Sequence, residues 1–521
     1  MRYSSVVQDA AYSTLLRSRR QQLHGRIAAT LETRFPEIVT DHPELVAHHC
    51  TEAGMPDKAV GYRLKAGQQS VARGAMTEAV TQLKKGLDLL TGLPNGVERQ
   101  QQELDLQMAL SLAVHATEGY GSPAMEEIIL RASTLAEKLD RPECLVPLLY
   151  AKHWLHGGRA QLNLAQSIAE QIETIGAARN DYPALLLGHF LHGSDKFVMG
   201  HFESAMELLN QSREIIDPPH YKVCAAMMVD DPHVAFLACE ALTLTYMGHI
   251  DQGRTQMGHA LGAARELGRA YPLIYALIWA AWSEWVSSSA GEARLHAEEA
   301  VALSNEHGFP AWLAWGLIHK GWSIAARGEL PEGLRILTEG ISIYRSFGAV
   351  SSMTWALILL AEVYARLDRV SEALGCLAES EQIIERTEER YSEAELYRLR
   401  GDLLIANGDR TGAEQNYRQA LAVATRQSTK VFELRAATSL ARLWLDQGKR
   451  AEARDLLAPI YGFHRRLRHP GPARRQGAAR RAGMTQFHPC FLGVIRDFAM
   501  RLRSRTCRAA SAMLYHHVSR A

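Results

Sequence analysis

The stretch YRLRGDLLIANGDRTGAEQNYRQAL, Tyr397 to Leu421, decides the fold because it reads as two helical segments around one turn at Gly408. Gly401 stands seven residues before that turn and Ala413 five after it, with the large Tyr417 nine after. Two helices approach closely only where neither carries a bulky side chain, so a small residue on each segment is what a packed helical hairpin requires. The same pattern returns at intervals of forty residues. Its turns fall at Gly248, Ser288, Gly328, Asp368, Gly408 and Gly448. The positions seven before them are Ala241, Ala281, Gly321, Ala361, Gly401 and Ala441, and those five after are Gly253, Ala293, Gly333, Ala373, Ala413 and Ala453. The positions nine after hold Met257, Ala297, Leu337, Leu377, Tyr417 and Leu457, mostly larger knobs that fill the space between hairpins. The fold class is therefore all-α, an α-α superhelix with a period of about forty residues.

Tyr397, Gly401 and Leu404, followed by Ala413, Tyr417 and Ala420, fall where a tetratricopeptide repeat places its aromatic, small and apolar residues. The unit resembles that family. The family's usual period is 34 residues, so the six extra residues predict longer helices in each pair. Upstream, the phase continues at Gly200 and Ala160, and less clearly at Tyr120, with an eight-residue excess between Gly200 and Gly248. Asp217, Pro218 and Pro219 lie in that excess; two successive prolines remove two amide donors, which predicts a loop projecting from the superhelix. Farther upstream, Gly54 and Gly74 bound Asp57 to Arg73, where Ala59, Leu64, Gly67 and Val71 make a buried helical stripe.

Of the 521 residues, 47% are hydrophobic and 22% charged, and no run of 18 or more apolar residues occurs. That composition predicts a globular chain without a membrane span, and Arg17, Arg19 and Arg20 interrupt the opening segment, so no signal peptide is expected. Cys50, Cys144, Cys224, Cys239, Cys376, Cys490 and Cys507 are scattered without a Cys-x-x-Cys pair, which points to free thiols and a cytoplasmic location.

A net charge of +1 conceals an asymmetry: residues 463–521 hold thirteen Arg and one acid, Asp497, a local +12, against −11 for the rest. A basic tail could serve nucleic acid or an anionic membrane. A second explanation fits the details better. Codons for His464 to Arg481, read one nucleotide on, can encode an acidic amphipathic helix closing the array, so the tail is expected to be disordered or frameshifted and nucleic acid is not an expected partner.

The ends carry a more specific likeness. VVQDAAYSTLLRSRRQQLHGRIAATLE (Val6 to Glu32) and HPELVAHHCTEAGMPDKAVGYRLKAG (His42 to Gly67) resemble a junction in bacterial multidomain regulators. In those proteins an AAA-like ATPase module, often preceded by an adenylate or guanylate cyclase domain, runs into a tetratricopeptide-type array. RAATSLARLWLDQGKRAEARDLLAPIYGF (Arg435 to Phe463) resembles the last repeat of the same family. The likeness covers about 1–463. It implies three parts: a helical remnant of the junction over 1–40, a repeat array over 41–462, and the Arg-rich tail over 463–521.

No G-x-x-x-x-G-K-[ST] loop occurs, so no ATPase or cyclase residue of that family transfers to this chain, and no enzyme activity, cofactor or metal is expected. Gly119 to Ala124 is formally G-x-G-x-x-A, yet no strand precedes it and Pro123 suits a helix start; a capped turn is the better reading. His48 and His49, beside Cys50, point about 100° apart on a helix and cannot hold one ion without a distant partner. His153 with His156, and His189 with His192, repeat one spacing without an HExxH pattern and read as ordinary groove or core histidines.

Six of nine tryptophans crowd positions 279–322. Trp282, Trp285, Trp315 and Trp322 are the candidate residues of an aromatic-lined concave groove, the competing reading being inter-hairpin core. The expected function is a noncatalytic interaction or effector-sensing module. Its partner would be a protein segment or small effector in the groove, with occupancy passed to an ATPase or cyclase, attached or separately encoded. The alternatives are the sensor arm of an ATPase-type transcriptional regulator, or a truncated remnant without a separate role.

Overall fold

The computed structural model describes residues 16–215 and 217–468. Residues 1–15, 216 and 469–521 lie outside the described residues, and with them all of the Arg-rich tail and of its frameshift reading except 463–468, which close the last helix, Arg450–Arg468. Within them the chain forms twenty-four α-helices and one short 3-10 helix, with no strand. The helices from Pro56 onward pair into ten antiparallel hairpins, opening with Pro56–Ala72 and Met76–Leu90 and closing with Lys430–Asp446 and Arg450–Arg468. Consecutive first helices from Pro232–Tyr246 to Lys430–Asp446 touch one another, while second helices make their main contacts with first helices. The first helices therefore occupy the shorter, inner circumference of a superhelix.

A backbone conformation beats out the period more finely than the side chains do. Left-handed residues recur every twenty positions from Gly248 through Gly268, Ser288, Gly308, Gly328, Gly348, Asp368, Glu388, Gly408 and Ser428 to Gly448. One such residue ends each helix, letting the chain reverse after a run of typically seventeen residues, about 25 Å of helix. The six residues beyond the usual tetratricopeptide period are thus shared as three per helix, close to one extra turn each.

The small positions lie at the tightest contacts. Ala241, Ala281, Ala361 and Ala441 are wholly buried on first helices, as are Ala293, Ala373, Ala413 and Ala453 on second helices. A methyl group placed on Gly321 would lie 2.4 Å from the Leu337 amide nitrogen and 2.8 Å from the Gly333 carbonyl. At Gly401 it would lie 2.4 Å from the Tyr417 ring, and at Gly67 2.4 Å from Leu83. Gly67 and Leu83 stand seven before and nine after Gly74, so the hairpin register reaches the N-terminal part of the array even where the forty-residue spacing does not.

The eight-residue excess departs from its expected form. Rather than a projecting loop it makes a separate helix, Pro218–Met227. Prolines in the first helical turn lose only amides that have no intrahelical partner, and Asp217 caps the same end by accepting from the His220 amide at 2.9 Å. Cys224 on this helix is buried, its thiol donating to the Pro183 carbonyl at 3.4 Å.

Successive turns of the superhelix stack directly. The amides of Val350 and Ser351 donate to the Gly158 carbonyl at 3.0 and 3.2 Å, and those of Arg390 and Tyr391 to the Val198 carbonyl at 3.0 and 3.2 Å. Both donor pairs and both acceptors are forty residues apart, so one clamp is used twice. Thr429 Oγ1 makes the next contact, donating to the Tyr246 carbonyl at 3.0 Å, shifted by the inserted helix.

Gly321→Ala is expected to cost about 1–3 kcal/mol of stability because backbone atoms on the facing helix cannot give way. Gly258→Ala, facing open space in a helix interior, should gain about 0.5–1 kcal/mol. Denaturant unfolding of both variants checks the contrast.

Candidate binding surface inside the superhelix

Two residue columns on the first helices lie seven positions apart, two helical turns, and so share one face. Thirteen residues before the hairpin turns stand Tyr275, Trp315, Trp355, Glu395 and Arg435; six before them stand Trp282, Trp322, Glu362, Asp402 and Arg442. Each column runs from aromatic to acidic to basic along the array.

The aromatic end is packed. Trp282 lies 5.1 Å from Trp355 and 5.6 Å from Trp315, near-parallel to the former, and its Nε1 donates to Tyr246 Oη at 3.1 Å. Trp315 stacks on Trp355 at 5.7 Å with 17° between the planes. Trp285 meets Trp355 edge-on at 6.0 Å and lies under the Arg435 guanidinium at 5.7 Å. Tyr391 and Phe432, from later hairpins, close over this group at 5.2 Å from Trp282 and 5.9 Å from Trp285. The structure thus brings Trp282, Trp285 and Trp315 together around Trp355. Trp322 lies at the margin, its Nε1 donating to Glu362 Oε2 at 3.0 Å. Trp282, Trp285 and Trp322 are buried and Trp315 is half-buried, so in this arrangement the chain's own rings fill the inner surface there.

The charged end is ion-paired. Arg398 donates from Nη2 and Nε to the two Glu395 carboxylate oxygens at 2.7 and 3.0 Å and also pairs with Asp402. Arg435 reaches Glu395 at 3.2 Å and donates to the carbonyls of Trp285 and Val286 at 3.1 and 2.8 Å. Burial pushes the Glu395 carboxyl up, but Arg398 and Arg435 outweigh it and hold it below the usual range. Burial holds Glu362 above that range.

Two acids sit deeper. Glu389 is fully buried, its carboxylate accepting from the Ser352 amide at 2.6 Å and from Thr354 Oγ1, and burial pushes it up to about 7. Asp230, delivered by the segment after the inserted helix, is 4% exposed with one carboxylate oxygen lacking a partner, and burial pushes it to about 7 as well. Its charge bears on Tyr120, Tyr150, Tyr271 and Tyr275. None of these acids was legible as a site in the sequence, where each is one among 57. Trp355 is marked by spacing alone, since it stands forty residues after Trp315 at the same repeat position.

The remaining sequence candidates separate. Gly119 to Ala124 is a turn, with Ser122 Oγ accepting from the Met125 amide at 3.3 Å and Pro123 opening the next helix. His153 pairs with buried Asp195 at 3.0 Å, His156 with Gln161 at 2.7 Å and His192 with Glu173 at 3.1 Å, so these histidines do not converge. No helix among the described residues is long and apolar enough to cross a membrane.

Two predictions follow from burial. Trp282→Ala is expected to cost about 3–5 kcal/mol by leaving a cavity between hairpins, read by thermal unfolding. The Glu389 carboxyl, raised in the folded state, favours folding below its unfolded value near 4.5, and that contribution is lost as pH rises through about 7. Wild-type stability relative to Glu389→Gln should therefore fall between pH 5 and 7.5, measured by unfolding at each pH.

Residues 352–426 match the family model described as tetratricopeptide repeat. An uncharacterized protein of Rhizobium meliloti (strain 1021) is 22% identical over 441 residues, covering 84% of this chain. The chain spans 42% of that relative's length. Among solved structures, the APC/C hetero-tetramer Cut9-Hcn1 aligns with a TM-score of 0.49 at 13% identity, covering 84% of each chain. A Rap protein complexed with Competence and Sporulation Factor aligns with a TM-score of 0.46 at 14% identity, over 71% of this chain and 99% of that one. The chain is an all-α superhelical repeat protein with a tetratricopeptide region at 352–426.

Proposed function

We propose that this chain is a noncatalytic interaction module that holds a protein segment along the inner face of its superhelix. The observation that carries this reading is the pair of inner columns. They put rigid aromatics and then paired acids and bases at equivalent positions of consecutive repeats, a continuous strip suited to an extended chain. Trp315, Arg398, Glu362 and Arg435 keep part of their surface open at this face. Tyr391, Phe432 and Arg435, from later hairpins, cover part of the strip, so a bound segment exchanges some of those contacts for its own. Arg435, which reaches both Glu395 and the carbonyls of an earlier turn, would report such an exchange.

In this reading, occupancy passes to an ATPase or cyclase module. Support comes from the junction-like residues Val6 to Glu32 and His42 to Gly67, and from a Rhizobium relative more than twice the length matched. An effector-sensing arm of a transcriptional regulator would use the same surface.

The test is selection of a displayed random-peptide library on the full-length chain, followed by affinity measurements. Selected peptides are expected to bind Trp315→Ala and Arg398→Ala at least about tenfold more weakly, while Arg335→Ala on the outer face leaves affinity unchanged. Circular dichroism confirms that each variant is folded. Failure to enrich any peptide, or affinities indifferent to both inner-face changes, would overturn the proposal.

A further inference from the structure

The geometry points to a second site, remote from the inner columns: we infer that His24, His48 and His49 bind a divalent transition-metal ion of the zinc class. His48 and His49 are neighbours on the helix Pro43–Glu52, and the distant partner that such a pair needs is His24 of the helix Arg17–Arg34. Ring centroids are 5.7 Å apart for His24 and His48, 5.0 Å for His24 and His49, and 5.4 Å for His48 and His49. His24 stands over the gap between its neighbours, so the divergence of adjacent helical side chains no longer keeps them apart. One ring nitrogen from each residue lies within 4.8 Å of the other two. Among the described residues this is the one such gathering of His, Cys, Asp or Glu.

The donor set selects the ion class. Three imidazoles suit zinc, copper or nickel and offer nothing to calcium or magnesium, which take oxygen ligands. Cys50 does not join: it is fully buried in a separate apolar cluster with Ala28, Val46 and Ala59. The Nδ1 atoms of His24 and His49 stand 2.7 Å apart. Two bare nitrogen lone pairs repel at that distance, so without an ion one ring carries the hydrogen and the other accepts it. An ion replaces that hydrogen. Two nitrogens on one tetrahedral zinc, each at about 2.0–2.1 Å, lie roughly 3.4 Å apart, so the rings must part by about 0.7 Å. His24 is buried, His49 half-buried and His48 exposed, which leaves the fourth ligand position on the solvent side, open to water.

Such an ion would tie the helix Arg17–Arg34 to the helix Pro43–Glu52, bracing the segment that leads into the repeat array. The site does not depend on the inner surface, so it can fail or stand independently of the proposed interaction role.

The experiment uses the full-length chain, stripped with chelator and titrated with zinc chloride by calorimetry, and with cobalt(II) followed by visible absorption. One ion per chain is expected, with cobalt bands of four-coordinate geometry. His24→Gln and His48→Gln should each weaken binding by more than about 100-fold, beyond the loss seen when an outer-shell partner is removed. His259→Gln, at an exposed histidine elsewhere, should leave it unchanged. Absence of saturable zinc binding by the wild type, or equal affinity in His48→Gln, would overturn the inference. Because His48 is exposed, that variant decides the matter even if His24→Gln fails to fold, with circular dichroism confirming its helix content.

Discussion

The contact on which the architecture depends is the close approach of the two helices in each hairpin, backbone nearly against backbone, at a pair of small residues. At Gly321 and Gly333 neither helix has room for a methyl group. That proximity fixes how one helix is rotated against its partner, and the rotation fixes which side chains face inward. The inner columns follow from it: once Gly321 or Ala361 faces the second helix, Trp315 and Trp355, six residues earlier, are carried about 120° round to the inward side. The close contact contributes dispersion energy along a helix of about 25 Å, and it also acts as an orienting device.

The inner surface combines two kinds of packing that answer differently to water. Around Trp355 the rings interlock much as in a domain core, and His319, fully buried 4.6 Å from the Trp355 ring with neither ring nitrogen hydrogen-bonded, is held neutral by burial, its value pushed down to about 3. From Glu395 to Arg435 the same face is a chain of ion pairs centred on the buried Glu395 carboxylate. Pairs of that kind contribute little net stability, because desolvation offsets most of their attraction, but they impose strict geometry on whatever replaces one partner. In the proposed interaction role, specificity would rest on the charged end and bulk affinity on the aromatic end.

The hairpin pattern was legible because small residues at close contacts tolerate no substitute of ordinary size, so they persist at a fixed interval. The half-period was less visible. Turns at Gly268, Gly308 and Gly348 repeat every forty residues too, but Glu388 and Ser428 continue the series with residues that rarely adopt a left-handed conformation, and a residue-type pattern cannot show this. The inserted helix was misjudged because two prolines break a helix in its interior and begin one at its first turn, and only tertiary contact decides which occurs. The histidine triad was half legible. His48 and His49 announced themselves, and the partner they lacked lies twenty-four residues from the nearer one, at a distance only the folded chain closes.

The carbonyls of Gly158 and Val198 each receive two amides from one full superhelical turn later, at Val350 and Arg390, a separation of 192 residues. That interval is not a whole number of forty-residue units. Duplicating or deleting a single unit within it would leave every hairpin intact while changing which unit meets each acceptor. Arrays of this kind are usually thought free to grow and shrink by unit during evolution. Here the coil-to-coil fastening links hairpins far apart in the chain, so a change of unit number inside the array alters contacts well beyond the nearest neighbours.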